Sequence, residues 1–224
     1  FTLTVVEPMM VGITGAGFIN YYNSRDKSSI TIDNYCTAPI KATEDMFTPI
    51  SDKWPDYMET KNHQNRYGYL SVGVPAALQA WAHIEEKYGL LGIEKVISPA
   101  IRFSKEGFRV SDYLSGIVEN NKDILSSYPS SKSIFLGNGV ALKTGDTLAN
   151  PDYAKTLEEI AKNGVSTLTE GKLGNSIERD MKSNKGIVSL DDLDQYKIKY
   201  REPVRGTYRG YEIVGVGPVS SGAT

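Results

Sequence analysis

The sequence predicts an α+β fold with strands near both ends and a helical middle. Residues 18–22 and 30–35 alternate apolar and polar side chains, and the Asn, Ser, Asp and Lys residues between them are typical of a β-hairpin turn. After this hairpin, apolar residues recur at helical spacing until another stretch of period two begins after residue 196. We therefore expect the terminal strands to share one sheet, within a single domain over residues 1–224 that is incomplete at both ends.

A glycine-rich segment, residues 12–17, comes directly before the hairpin. Glycines let a backbone approach its neighbours closely or adopt positive φ, so the segment is either a functional site or a structural turn. It superficially resembles a dinucleotide-binding fingerprint. In that motif a helix follows the glycines and binds the pyrophosphate at its N-terminus, whereas here we expect a strand, so we reject this interpretation.

Residues 41–64 lack any period and are predicted to be an irregular excursion over the body of the protein. Met46, Trp54 and Tyr57 argue against full disorder, because aromatic side chains usually pack. Residues 68–73 then predict a short strand.

Two helices with a proline at their first residue are predicted next. Pro75 would begin the first, which ends at Gly89 and has Trp81 in its apolar face. Ser98 as N-cap and Pro99 as first residue would begin the second, which Gly107 terminates.

The remaining elements follow from caps and periodicity. Ser111 predicts a helix over residues 112–125, and residues 126–145 are loop-rich with a strand at 133–136 turned at Gly137-Asn138-Gly139. Asn150 and Pro151 begin a clear helix to residue 163, and residues 173–181 form another. Ser189 and Asp192 resemble a capping box. Strands are predicted at residues 196–202, 204–208 and 211–216, as a meander or as paired sheet edges.

Composition excludes several classes of function. The net charge is −2, the basic residues are scattered, and no apolar run approaches the roughly 20 residues that span a bilayer. We therefore expect a soluble protein that binds no nucleic acid and has no membrane span. The chain begins with Phe1 and starts and ends within regular structure, so we expect a piece of a larger protein. An upstream signal peptide is compatible with this, which leaves the compartment open.

The chain shows no catalytic set or metal site of its own. Cys36 is the single cysteine, and neither His63 nor His83 has metal-ligand spacing to it or to the other histidine, so we expect no metal, no cofactor and an unreactive thiol. The adjacent carboxylates at 85/86, 158/159 and 191/192 are interpreted as solvated helix faces or caps rather than acid/base pairs.

A series of short motifs, in one order over nearly the whole chain, resembles the large subunit of the γ-glutamyltransferases. The motifs are Glu7-Pro8 with residues 12–18, Asp33 to Pro39, Ser71 to Pro75, Lys87 to Gly89, Pro99 to Ile101, Glu106 to Phe108, Gly145 to Leu148, Asp192 to Tyr196, Tyr208 to Tyr211, and Pro218 to Gly222. No one motif is decisive, but this many motifs in one order are a strong joint signal.

The resemblance implies the large-subunit part of a four-layer αββα N-terminal-nucleophile hydrolase. In this family a precursor cleaves itself, and the new N-terminal Thr of the small subunit attacks a γ-glutamyl or related acyl amide, with its own α-amine as base. The implied nucleophile lies downstream of Thr224, so this fragment alone would not be an enzyme. Its implied partners are the small-subunit segment and the amide substrate.

One departure from the family motifs bears on the substrate. In the family's Asp-x-Arg-Glu segment the Arg pairs with the substrate's α-carboxylate, whereas this chain has Tyr35 there and Cys36 in place of the Glu. Thr14 and Ala16 also stand where the family favours Gly. The resemblance then implies altered acyl-group recognition at Tyr35. The alternatives are a non-catalytic binding or assembly protein on the same scaffold, and an unrelated α+β binding module.

Overall fold

The computed structural model describes residues 1–218 and 220. Backbone contacts divide them into two compact units. The first comprises Phe1–Ile13 and Ile84–Gly164, and the second comprises Thr14–His83 and the described residues from Val165 onward. That residues 1–224 form one domain stays a prediction. Part of the motif from Pro218 to Gly222, and Thr224 itself, lie outside the described residues.

The helices and strands are numbered in chain order. Among the described residues the α-helices are α1 (Leu3–Val6), α2 (Ala77–Tyr88), α3 (Ile93–Glu106), α4 (Asp112–Asn120), α5 (Lys122–Ser126), α6 (Pro129–Phe135), α7 (Pro151–Asn163), α8 (Ser166–Thr169), α9 (Lys172–Ser183) and α10 (Leu190–Gln195). The strands there are β1 (Gly17–Asn23), β2 (Ser28–Asn34), β3 (Phe108–Arg109), β4 (Leu136–Gly137), β5 (Val140–Ala141), β6 (Thr147–Leu148), β7 (Lys199–Arg201), β8 (Val204–Tyr208) and β9 (Tyr211–Gly215).

The second unit contains an antiparallel sheet of order β1-β2-β7. The predicted hairpin is confirmed, and so is the prediction that strands from the two ends of the chain share a sheet. Ile32, on the central strand, is fully buried. Strand β7 does not continue into β8 as a meander: β8 pairs with β9 in a separate hairpin. Pro203, which has no backbone N–H to donate to a ladder, lies between β7 and β8.

Two tight hairpins have the backbone that their turn residues predict. Asn138 and Gly139 join β4 to β5 with φ of 53° and 79°, and Arg209 and Gly210 join β8 to β9 with φ of 50° and 84°. Positive φ at both central residues is the geometry of a type I′ turn, whose twist matches that of the flanking strands. Glycine adopts such a φ without the strain that a Cβ brings.

The first unit has its own apolar core. Buried residues from α4, the short strands and their flanks form one cluster of Val110, Leu114, Val118, Leu136, Ala141 and Leu148. The predicted caps are confirmed: Ser111 Oγ accepts the Leu114 N–H at 3.1 Å, and Asn150 Oδ1 accepts the Tyr153 N–H at 3.0 Å. The helix predicted over residues 112–125 is interrupted at Asn121, so it forms α4 and α5.

The prediction that Ser98 and Pro99 begin a helix is wrong. Helix α3 starts at Ile93, and Pro99 lies in its interior. A proline there cannot donate an N–H to the carbonyl four residues before it, which is that of Lys95. Ser98 Oγ donates to that same Lys95 oxygen at 3.0 Å and so replaces the missing donor. Gly107 caps the helix with φ of 86°, as predicted.

Three further predictions are wrong in part. Residues 68–73 contain a 3₁₀ turn at Tyr69–Ser71 instead of a strand, closed by Ser71 Oγ donating to the Gly68 carbonyl at 2.8 Å. Helix α2 starts two residues after Pro75. The segment expected to be loop contains α6, in which Pro129 occupies the first helical position.

The long segment of residues 41–64 is irregular, as predicted. It contains 3₁₀ turns at Asp56–Met58 and Lys61–His63, and an isolated bridge joins Pro49 to Thr60. Trp54, in this segment, is 78% exposed. None of the helices in the described part of the chain has the length and apolar character that a bilayer crossing requires.

Candidate acyl-group site at the end of strand β2

The Asp33 carboxylate organises the chain where β2 ends. Asp33 is only 7% exposed and lies opposite Lys199 in the register of β2 with β7. Its Oδ1 accepts the backbone N–H of Tyr35 at 2.9 Å, which closes a local turn. Its Oδ2 accepts the Nε–H of Arg201 at 2.6 Å. One carboxylate therefore fixes both the exit of β2 and a guanidinium from β7.

Tyr35 is held by its backbone and by its ring. The Tyr196 hydroxyl donates to the Tyr35 carbonyl at 3.0 Å, and the Tyr35 ring stacks on Phe18 with centroids 5.5 Å apart and planes 18° from parallel. The residue is 55% exposed, and its hydroxyl has no hydrogen-bond partner within residues 1–218 and 220. The phenol is thus positioned but free to bind a ligand.

Tyr196 stays neutral over the physiological range. Its burial raises the pKa of its phenol to about 12, and the nearby Asp33 and Cys36 contribute in the same direction. Burial disfavours the charged phenolate, as negative neighbours do. Tyr196 therefore acts as a hydrogen-bond donor that supports the backbone of Tyr35.

A cavity of about 210 Å³ opens beside this arrangement. It is lined, all within the second unit, by Asp33, Tyr35, Cys36, Thr37, Tyr196, Lys197, Lys199 and Arg201. Three of these side chains are cationic, and the one carboxylate is already paired with Arg201. The cavity thus has an excess of positive charge, and chemically it can bind an anion and donate hydrogen bonds to it.

The segment that follows Tyr35 is attached to two other parts of the second unit. The first is residues 73–74, and the second is Asp192. Thr37 accepts the Val74 N–H with its backbone carbonyl at 3.0 Å, and Gly73 approaches Cys36 so closely that a Cβ on the glycine would lie 3.0 Å from the cysteine Cβ. Two motifs that are distant in sequence, around residues 33–39 and 71–75, are therefore adjacent in space.

Asp192 provides the second attachment. Its Oδ1 accepts the Ile40 N–H at 2.6 Å, while its Oδ2 accepts the Ser189 N–H and Oγ–H at 2.8 and 2.6 Å. The predicted capping box is confirmed. The interpretation of Asp192 as part of a solvated helix face is wrong, because it is only 3% exposed. Its neighbour Asp191 is exposed, as expected.

The glycine-rich segment has a structural role. The Gly15 carbonyl accepts the N–H groups of Ala76 and Ala77 at 3.1 and 2.9 Å and so satisfies two donors at the start of α2. Gly12, Gly15 and Gly17 do not have positive φ. Strand β1 follows the glycines, as predicted, where a dinucleotide fingerprint would have a helix.

The two histidines considered from the sequence do not line this cavity, whereas Cys36 does. His63 Nδ1 is 3.1 Å from Glu59 Oε2, and His83 Nε2 is 2.5 Å from the Tyr200 hydroxyl. Cys36 is exposed and lines the cavity. In the part of the chain that the structure describes, no three His, Cys, Asp or Glu side chains are grouped as metal ligands would be.

Sequence reasoning missed Lys199 and Arg201. Both lie in a stretch of period two, on the same face of a strand, but the sequence contains no signal for which strand they pair with. Only the register of β7 with β2 brings them beside Tyr35.

Comparison with known proteins places these observations in a family. The family model described as Gamma-glutamyltranspeptidase matches residues 1–224. An acylase, Acylase ACY 1 proenzyme from a Pseudomonas species, is 41% identical over 221 residues, which cover 99% of this chain and 39% of that protein. The Glutathione hydrolase proenzyme of Escherichia coli is 33% identical over 223 residues, 99% of this chain and 37% of that protein.

Solved structures agree. The crystal structure of Helicobacter pylori γ-glutamyltranspeptidase matches with a TM-score of 0.89 at 33% identity, over 99% of this chain and 62% of that one. The chain spans about two fifths of the length of the two curated relatives, the Pseudomonas acylase and the E. coli glutathione hydrolase. The predicted fold class, the large-subunit part of an N-terminal-nucleophile hydrolase, is confirmed. The chain belongs to the γ-glutamyltranspeptidase family.

Proposed function

We propose that the complete protein is an amide hydrolase or acyl transferase that works through an N-terminal Thr located after this chain, and that Tyr35 lies in its acyl-group pocket. Membership of the γ-glutamyltranspeptidase family supports the reaction type. The observation that supports the assignment of the pocket is that Tyr35, whose hydroxyl has no hydrogen-bond partner within residues 1–218 and 220, lines a cationic cavity.

The proposed chemistry is acyl transfer in two steps. The Thr hydroxyl attacks the amide carbonyl while the α-amine of the same residue takes its proton, and the C–N bond then breaks as the leaving amine receives that proton. Water or an acceptor amine next attacks the acyl-enzyme and releases the free Thr. The small-subunit segment that follows this chain would supply the nucleophile. This chain would supply part of the acyl pocket.

Tyr35 would change which acyl group is used. An arginine can hold a carboxylate with two parallel hydrogen bonds and a charge, whereas a neutral phenol donates one hydrogen bond. Removing a charged partner from a substrate carboxylate weakens binding by about 2 kcal/mol or more. We therefore propose poor use of γ-glutamyl groups and an acylase-like preference. The higher identity to the Pseudomonas acylase than to the E. coli glutathione hydrolase supports this.

Expression of the complete protein tests this function. We expect a purified precursor to yield two bands on a denaturing gel, with Thr as the first residue of the smaller one by N-terminal sequencing. We also expect the cleaved protein to release p-nitroaniline from at least one simple acyl p-nitroanilide. A single uncut band without turnover would instead favour the non-catalytic binding or assembly protein.

A further inference from the structure

Strands β8 and β9 form a hairpin with one apolar and one polar face. Cross-strand partners share a face, and the register pairs Tyr208 with Tyr211 and Gly206 with Ile213. We call the side of the hairpin that these residues occupy the β8–β9 apolar face. We propose that it is the docking surface for a segment of the complete precursor that follows this chain. This rests on the proposed function in one respect, because it assumes a precursor that continues past this chain.

The polar face of the hairpin is the one suited to solvent. Arg205 Nη1 donates to Glu212 Oε1 at 2.6 Å across the two strands, and Thr207 is the register partner of Glu212. An antiparallel sheet with one polar and one apolar face commonly packs its apolar face on a core. Here Tyr211 and Ile213, on the apolar face, are 74% and 48% exposed. The face that should be covered is therefore open.

The hairpin also lacks the support that two strands need. It is a two-stranded sheet of its own, and neither outer edge pairs with another strand in the described part of the chain. An isolated two-stranded hairpin is marginally stable in water, whereas packing against a helix or a further strand stabilises it. A covering element would supply that support.

The apolar face has room for a side chain of such an element. A Cβ built on Gly206 would meet no described atom within 4 Å, so the space above this glycine is open. The Arg209 guanidinium lies 5.1 Å from the centroid of the Tyr208 ring, at the turn of the hairpin. The part of the face that is left open is thus that of Gly206, Tyr211 and Ile213.

A segment of the same precursor is the occupant that the observations favour. This chain covers 39% of the Pseudomonas acylase, so more than half of a precursor of that length lies outside it. Consecutive elements are usually adjacent in space, which makes the element after β9 the best placed cover. A second copy fits less well. Tyr208, Tyr211 and Ile213 expose on the order of 400 Å², about half of the roughly 800 Å² that each partner gives to a standard interface.

The chemistry of the face defines the surface that would fit it. The two tyrosine rings and Ile213 offer aromatic and aliphatic carbon, so the covering segment should present uncharged apolar side chains to them. The contact uses rings and methyl groups rather than hydroxyls. Tyr208→Phe should therefore leave it intact.

Photo-crosslinking in the complete precursor identifies what covers this face. The photoreactive amino acid p-benzoylphenylalanine replaces Tyr211 or Ile213, and in the matched control it replaces Thr207 on the polar face of the same hairpin. We expect the first two positions to crosslink to peptides that follow residue 224, identified by mass spectrometry. The yield should be several-fold higher than from position 207, because the probe reacts only with groups that it touches.

Hydroxyl-radical labelling of the wild-type precursor is an independent measurement that needs no substitution. If Tyr211 keeps its 74% exposure, its labelling should be only about a quarter lower than in the urea-unfolded protein. If the face is covered, folding should lower the labelling several-fold. The protection should persist on dilution, since the covering segment belongs to the same chain.

Three results would overturn the proposal. The first is the absence of crosslinks from positions 211 and 213 to peptides that follow residue 224. The second is an equal yield of such crosslinks from position 207. The third is a crosslinked product of twice the precursor mass with protection that is lost on dilution, which would assign the face to a second copy.

Self-cleavage and turnover test the proposed function separately. If the precursor yields two bands and hydrolyses an acyl p-nitroanilide but lacks these crosslinks, the proposed function stands and the docking surface is wrong. If the crosslinks form in a precursor that stays uncut and inactive, the docking surface stands and the catalytic function is wrong.

Discussion

The Tyr196 hydroxyl donates a hydrogen bond to the backbone carbonyl of Tyr35 at 3.0 Å. Tyr196 follows directly after α10, 161 residues further along the chain, and its burial keeps the phenol neutral. The Asp33 carboxylate accepts the Tyr35 N–H, so both backbone polar groups of Tyr35 are hydrogen-bonded. The proposed acyl recognition depends on Tyr35.

Alkaline titration should reveal Tyr196 as a late-ionising tyrosine. Its pKa of about 12 lies above the ordinary 10.0, and for an acid this means that folding favours the protonated form. The stability contributed by the protonated phenol is therefore complete below about pH 10 and lost as the pH rises to about 12. Ultraviolet absorbance of phenolate should show one fewer late-ionising group in Tyr196→Phe.

Tyr196→Phe should also lower the unfolding free energy by about 1 kcal/mol near neutral pH. It removes the hydrogen bond to the Tyr35 carbonyl, and one hydrogen bond typically contributes about that much. Tyr208→Phe, at an exposed position, is the control for stability and should leave the unfolding free energy unchanged. If Tyr196→Phe leaves the titration curve above pH 11 unchanged, the assignment of the raised pKa is incorrect.

Replacing Asp192 should destabilise the second unit. Its carboxylate accepts hydrogen bonds from Ile40 and Ser189 and is almost fully buried. Asp192→Ala leaves buried donors without an acceptor, so we expect a loss of about 2–4 kcal/mol in urea unfolding. Asp191→Ala, at the exposed neighbouring position, should change stability by less than about 0.5 kcal/mol. Equal effects of the two substitutions would contradict the attachment role of Asp192.

Replacing Pro99 should stabilise helix α3. Pro99 is exposed, so Pro99→Ala removes no core packing, and it restores an N–H for the Lys95 carbonyl. A proline in a helix interior is unfavourable by about 3 kcal/mol, partly offset by its restriction of the unfolded chain, so we expect a net gain of about 1–2 kcal/mol.

A double-mutant cycle with Ser98→Ala checks the mechanism. With Pro99 present, loss of the Ser98 hydroxyl should destabilise the protein by a few tenths of a kcal/mol, whereas in the Pro99→Ala background its effect should vanish. Additive effects would show that Ser98 does not substitute for the missing donor.

The outcome of the sequence predictions depended on how local each signal was. Ser111, Asn150 and Ser189 cap helices whose partners lie three residues away, so the pattern alone identified them. Ser98-Pro99 carries the same local pattern as a helix start, but the surrounding helix overrides it. The pairing of Arg201 with Asp33 joins residues 168 apart. Only strand register reveals it, and a single sequence does not encode register visibly.

The central claim is that Tyr35 in place of an arginine has changed the acyl group that the protein accepts. The kcat/KM of the complete protein for a γ-glutamyl anilide, measured for wild type and Tyr35→Arg in parallel, tests it most directly. We expect Tyr35→Arg to raise this value by about 10-fold or more, since a charged pair with the substrate carboxylate contributes roughly 1.5–3 kcal/mol. Equal kcat/KM for wild type and Tyr35→Arg, with both proteins cleaved into two subunits, would contradict the claim.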